Sequence, residues 1–161
     1  MLLGSSCAAP RPEPVVGVST TPLHPVVDFA FESMDDRPVT SEATRGKTTV
    51  LAFVTTGSLP AQAQVDYLVA MAAHDANEVN YAAVALEAPE SHELVELYAR
   101  ALHVPFPVAM ADALTRQGQG PFGDMSAVPV TVVLDRAGRI VWRSAGRVAK
   151  SDELRGAMRG L

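Results

Sequence analysis

The apolar positions of this chain change period several times, and each change marks an element. Thr48 to Val54 is almost wholly β-branched or apolar with no alternation, the pattern of a strand buried on both faces. Gly57 breaks the run, Ser58 suits a helix cap and Pro60 suits a first helical turn, so a helix is predicted over Leu59 to His74. Its inner face would carry Val65, Leu68, Met71 and Ala72, which recur at three- and four-residue steps. Val79 to Leu86 reads as a second buried strand, ended by Glu87-Ala88-Pro89. Ser91, with Glu93 and Glu96, opens a helix to Leu102 with Leu94, Leu97, Tyr98 and Ala101 as its inner stripe. Phe106 to Met110 fits a short strand and Ala111 to Arg116 a helical turn. Val130 to Leu134, Asp135 to Gly138 and Arg139 to Ser144 form a strand, a turn and a returning strand. Ser151-Asp152-Glu153 caps a final helix with Leu154, Met158 and Leu161 inward. Upstream, Val26, Phe29 and Phe31 mark an amphipathic strand within Val26 to Met34, Asp35 to Pro38 a turn, and Ser41 to Arg45 one helical turn. Strands that alternate with helices and close on a hairpin predict an α/β fold: a mixed central sheet with helices on both faces.

Two stretches carry a resemblance. The strand–turn–helix from Val50 to Gln62 resembles the active-site turn of the thioredoxin superfamily, above all its TlpA/ResA-type thiol–disulfide oxidoreductases, also grouped as redoxin or AhpC/TSA-type domains. On that frame Ser58 stands where the first cysteine of the family's Cys-Pro-Pro-Cys belongs, and Ala61 where the second belongs. Phe122 to Val141, with Phe122-Gly123, Val128-Pro129-Val130-Thr131, Leu134-Asp135 and Gly138, is similar to the family's segment around its cis proline. The resemblance covers nearly all of Val26 to Leu161 and implies a thioredoxin-like fold with an N-terminal β-hairpin extension and a cis Val128-Pro129 bond. It also implies that Ser58 and Ala61 are vestigial redox positions.

Composition narrows the chemistry. The chain has 161 residues, 48% apolar and 19% charged, enough for one domain with a sizeable core. A net charge of −5 argues against a nucleic-acid reader, which needs a basic face. Residues 1–25 hold five prolines and no periodicity, and read as a flexible tether ahead of a domain at 26–161. Within it, Leu2-Leu3-Gly4-Ser5-Ser6-Cys7 resembles the end of a bacterial lipoprotein signal, which makes Cys7 a candidate lipid attachment site. Six residues precede Cys7, fewer than the apolar region of about 7–15 that such a signal carries. The plainer reading is an unmodified cysteine in a cytosolic terminus.

Cys7 is the only cysteine, so neither an intrachain disulfide nor a dithiol mechanism is available. A serine hydroxyl is neither acidic enough nor a sulfur donor, and no Gly-x-Ser-x-Gly or neighbouring histidine equips Ser58 as a nucleophile. A helix cap is its expected role. His24, His74, His92 and His103 lack metal-ligand spacing, so no metal and no cofactor is expected. Trp142, Tyr67, Tyr81 and Tyr98 are expected in packing. Alternation would set Arg139, Arg143 and Arg147 on one side of the last hairpin, either as a contact patch or as an edge guard.

These readings converge on a redox-inactive thioredoxin-like protein of the bacterial periplasm, tethered to the membrane surface through a lipid. Ser58, Leu59, Pro60, Val128 and Pro129 would dock a protein or peptide partner, or the domain would serve as a structural subunit. The rival is a thiol oxidoreductase or antioxidant-type redoxin working through Cys7 or a partner's cysteines. A third reading is a small-molecule binder beside Pro129.

Overall fold

The computed structural model describes residues 24–161. Most of the predicted tether, and Cys7 within it, lies outside them. The elements run β1 (Ala30–Ser33), β2 (Val39–Thr40), α1 (Ser41–Thr44), β3 (Thr48–Val54), α2 (Leu59–Asp75), β4 (Val79–Ala85), α3 (His92–Ala101), β5 (Val108–Met110), α4 (Ala113–Arg116), β6 (Val130–Leu134), β7 (Ile140–Ala145) and α5 (Ser151–Met158). All seven strands join one mixed sheet in the order β2-β1-β5-β4-β3-β6-β7. β3 pairs parallel with β4 and antiparallel with β6, so every residue of this apolar run is buried. The expected N-terminal hairpin is present as β1 against β2, with Phe31 opposite Val39.

The pleat of β3 divides the core in two. Val50, Ala52 and Val54 point to the face covered by α2, α3 and α5, where Val65, Leu68, Val95 and Leu154 are fully buried. Leu51 and Phe53 point to the other face, which the N-terminal segment covers through Val27, Phe29 and Phe31. Phe122 joins them there, its ring centroid 4.9 Å from that of Phe53 and 5.3 Å from that of Phe29. α1 sits at the end of this second face, tied by Thr49 Oγ1 and Asn80 Nδ2 donating to the Thr44 carbonyl.

Three details depart from the sequence pattern. Val26 is 47% exposed and bridges Arg139; its neighbour Val27 is the buried residue that continues Phe29 and Phe31, as strict alternation requires. α3 buries Val95 and leans on the sheet with Tyr98, Ala99 and Leu102, while Leu94 and Leu97 are exposed. α5 is capped one residue early, at Lys150, whose amide donates to the Glu153 carboxylate at 3.0 Å.

Candidate functional site

β3 ends at Val54, and Thr55-Thr56-Gly57 turns the chain into α2. Ser58 is the N-cap: its Oγ accepts from the Ala61 amide at 3.3 Å, and its carbonyl accepts from the Gln62 amide at 2.9 Å. With that hydroxyl engaged in the cap, the expected structural role of Ser58 is accounted for. Ala61, one turn on, is fully buried against the sheet, whereas Leu59 between them is 78% exposed. The turn therefore presents an apolar tip to solvent and a methyl to the core.

The antiparallel register of β3 and β6 places Phe53 opposite Val130. The next pair outward is Val54 and Pro129, so the Ser58 turn and the Pro129 loop leave the same end of adjacent strands, whose spacing is about 4.8 Å. The Val128-Pro129 bond is cis. Pro129 is buried and Val128 half-buried. The Gly146 amide is shared by the Ala127 and Pro129 carbonyls, each at 3.0 Å. Gly146 has φ of +71°, and a Cβ there would come within 3.1 Å of the Ala127 methyl, so only glycine fits without displacing the loop. Among the described residues, neither the amide nor the carbonyl of Val128 has a hydrogen-bond partner.

Polar contacts that the sequence pattern did not reveal surround the Ser58 turn and α2. The Thr56 amide donates to Glu87 Oε1 at 2.5 Å, tying the turn to the end of β4, and the buried Oε2 of Glu87 has no partner. The Tyr98 hydroxyl is likewise buried and unpartnered; burial, reinforced by the charges of Asp66 and Glu87, pushes its pKa up to about 12. Gln64, fully buried on α2, receives the Ala149 amide at 2.6 Å on Oε1 and donates through Nε2 to the Ala149 carbonyl at 3.2 Å. It thereby locks α2 to the loop before α5. The only sequence signal for Gln64 is its place on the inner face with Ala61, Val65 and Leu68.

The remaining candidates separate. The three hairpin arginines are engaged separately: the β6–β7 register is irregular at Val133/Leu134, Arg147 lies beyond the end of β7, and each side chain has its own acceptors. Arg139 pairs with Asp135, and Arg147 makes a two-pronged pair with Glu153. Arg143 donates to the carbonyls of Phe122, at 2.9 Å, and Asp124. That clamp holds the loop leading to Pro129, so the resembling Phe122-Gly123 segment is a packing device here. All four histidines are exposed. Among the described residues no group of three or more His, Asp or Glu side chains could hold a metal ion, and no helix is long and apolar enough to cross a membrane.

No protein-family model matches the sequence, and no curated protein matches it significantly. Solved structures do match. A DsbF homologue from Corynebacterium diphtheriae superposes with a TM-score of 0.69 at 18% identity, covering 85% of this chain and 86% of its own. The fold is thioredoxin-like. A thiol:disulfide interchange protein of the thioredoxin family from Chlorobium tepidum gives a TM-score of 0.69 at 19% identity, covering 84% of this chain and 94% of its own. A secreted Mycobacterium tuberculosis disulfide oxidoreductase gives 0.63 at 18% identity, covering 83% and 96%. In this thioredoxin-like frame the Ser58 turn and the Pro129 loop leave the same end of the adjacent strands β3 and β6.

Proposed function

We propose that this chain is a thioredoxin-like protein of the bacterial envelope that has given up thiol chemistry and binds an extended peptide segment of a partner. The observation that carries this reading is the unpaired peptide group of Val128, beside a turn whose tip is the exposed Leu59. An extended partner chain would pair its backbone with Val128 and rest an apolar side chain on Leu59 and Pro60, a β-strand addition at a loop. Ser58 and Ala61 offer no sulfur, so the docked segment is held and not oxidised or reduced. An envelope location accords with the secreted character of the similar Mycobacterium protein, and attachment through Cys7 would keep the domain at the membrane surface.

A photo-crosslinking residue at position 59 tests the proposal in the native envelope. The expected result is one discrete adduct that disappears on Val128→Pro, which removes the amide donor. Diffuse labelling, or an adduct indifferent to Val128→Pro, contradicts it. The second reading, a redoxin acting through Cys7 or through a partner's cysteines, is favoured by one observation: two of the similar structures are a disulfide oxidoreductase and a thiol:disulfide interchange protein.

A further inference from the structure

The far end of β4 carries a second unpaired peptide group, better buried than the first. In the parallel β3–β4 ladder the Leu86 amide donates to Val54, so the even-numbered residues of β4 face β3. The odd-numbered residues face β5: the Ala83 amide donates to the Pro107 carbonyl and the Ala85 carbonyl accepts from Ala111. Tyr81 is next in that row. Its partners should be the Pro107 amide and the Pro105 carbonyl. Proline 107 has no N–H, and the Pro105 carbonyl accepts from Arg37 Nη1 at 2.6 Å instead. Tyr81 is 4% exposed; the β4–β5 ladder begins only at Ala83 and Val108, so among the described residues no partner meets its amide or carbonyl on the β5 side, where both point. An orphaned buried peptide group costs about as much as a lost hydrogen bond, so it demands a partner.

The space beyond Tyr81 is a cavity of about 460 Å³, within the range of small-ligand sites. It lies in the sheet plane, where β5 would have continued. Its lining comes from both faces of the sheet: Ala72 and Ala73 of α2, Ala76 just beyond it and Phe106 belong to the first face, and Val39 to the second, with Thr44 of α1 also lining it. Its rim carries Arg37 and His103 and no carboxylate. A peptide N–H and C=O presented side by side from one residue match the C=O and N–H of a cyclic amide, and a slot in the sheet plane lined by small side chains suits a flat ring. We propose that this slot binds a neutral cyclic amide or imide of one or two rings, hydrogen-bonded edge-on to Tyr81. The site is at the opposite end of β4 from Glu87 and the Ser58 turn, and stands whether or not that turn docks a peptide.

Uracil and 2-pyridone, titrated into the ¹⁵N-labelled chain to about 10 mM, test it, since ligands this small sit near the millimolar end of the affinity scale. The Tyr81 amide should show the largest shift. Ala73→Phe, a change at an exposed helix position that fills the slot, should weaken binding about tenfold or more. Pro107→Ala, which restores an N–H for the Tyr81 carbonyl, should weaken it several-fold with the fold intact. An unmoved Tyr81 amide with both probes, or titrations unchanged in both variants, overturns the proposal.

Discussion

Gln64 shows what a single side chain does here. Its amide saturates both backbone groups of Ala149 in a site without water access, 85 residues away in sequence. Gln64→Leu keeps the volume and orphans both groups, so chemical denaturation should show a loss of about 1–3 kcal/mol. This role was not legible in the sequence, because a polar residue on an apolar stripe gives no hint of which distant backbone it meets. Ser58 was legible, since a cap is a local arrangement of a hydroxyl and amides within the next turn. Tyr81 falls between: its apolar strand was plain, but its unpaired peptide group depends on where Pro107 lands in the neighbouring strand.

At the scale of elements, the central strands announced themselves, because burial leaves only a few threonines and one asparagine as polar breaks in the apolar runs of β3, β4 and β6. α3 did not announce its facing. Its apolar residues share one broad face, and only the sheet decides that Val95 enters while Leu94 and Leu97 stay in water. Val95→Ala should therefore cost about 1.5–3 kcal/mol in a denaturant titration, whereas Leu94→Ser should stay within about 0.5 kcal/mol. α5 gives an element-scale pH dependence. The Arg147 guanidinium and the Lys150 amide hold the Glu153 carboxyl down to about 2, from 4.5. A depressed carboxyl stabilises the fold above its unfolded value, and that contribution fades as pH falls from 4.5 towards 2. Melting temperature followed across that interval should fall less steeply in Glu153→Gln than in the parent chain.

At the scale of the molecule, the thioredoxin-like frame was visible from two short segments because they sit on neighbouring strands of one sheet and the elements between them alternate as strand and helix. The helices and the N-terminal hairpin give the frame its two cores, and both the Ser58 turn and the Pro129 loop are anchored from outside themselves, by Glu87, Gly146 and Arg143. Such a scaffold stays rigid without sulfur. The most direct measurement of what that means is insulin reduction by the parent chain, with Cys7→Ser and the double variant Ser58→Cys/Ala61→Cys alongside. An inert parent and Cys7→Ser chain, with activity gained by the double variant, is the predicted result. Turnover by the parent chain that Cys7→Ser abolishes would contradict the central claim.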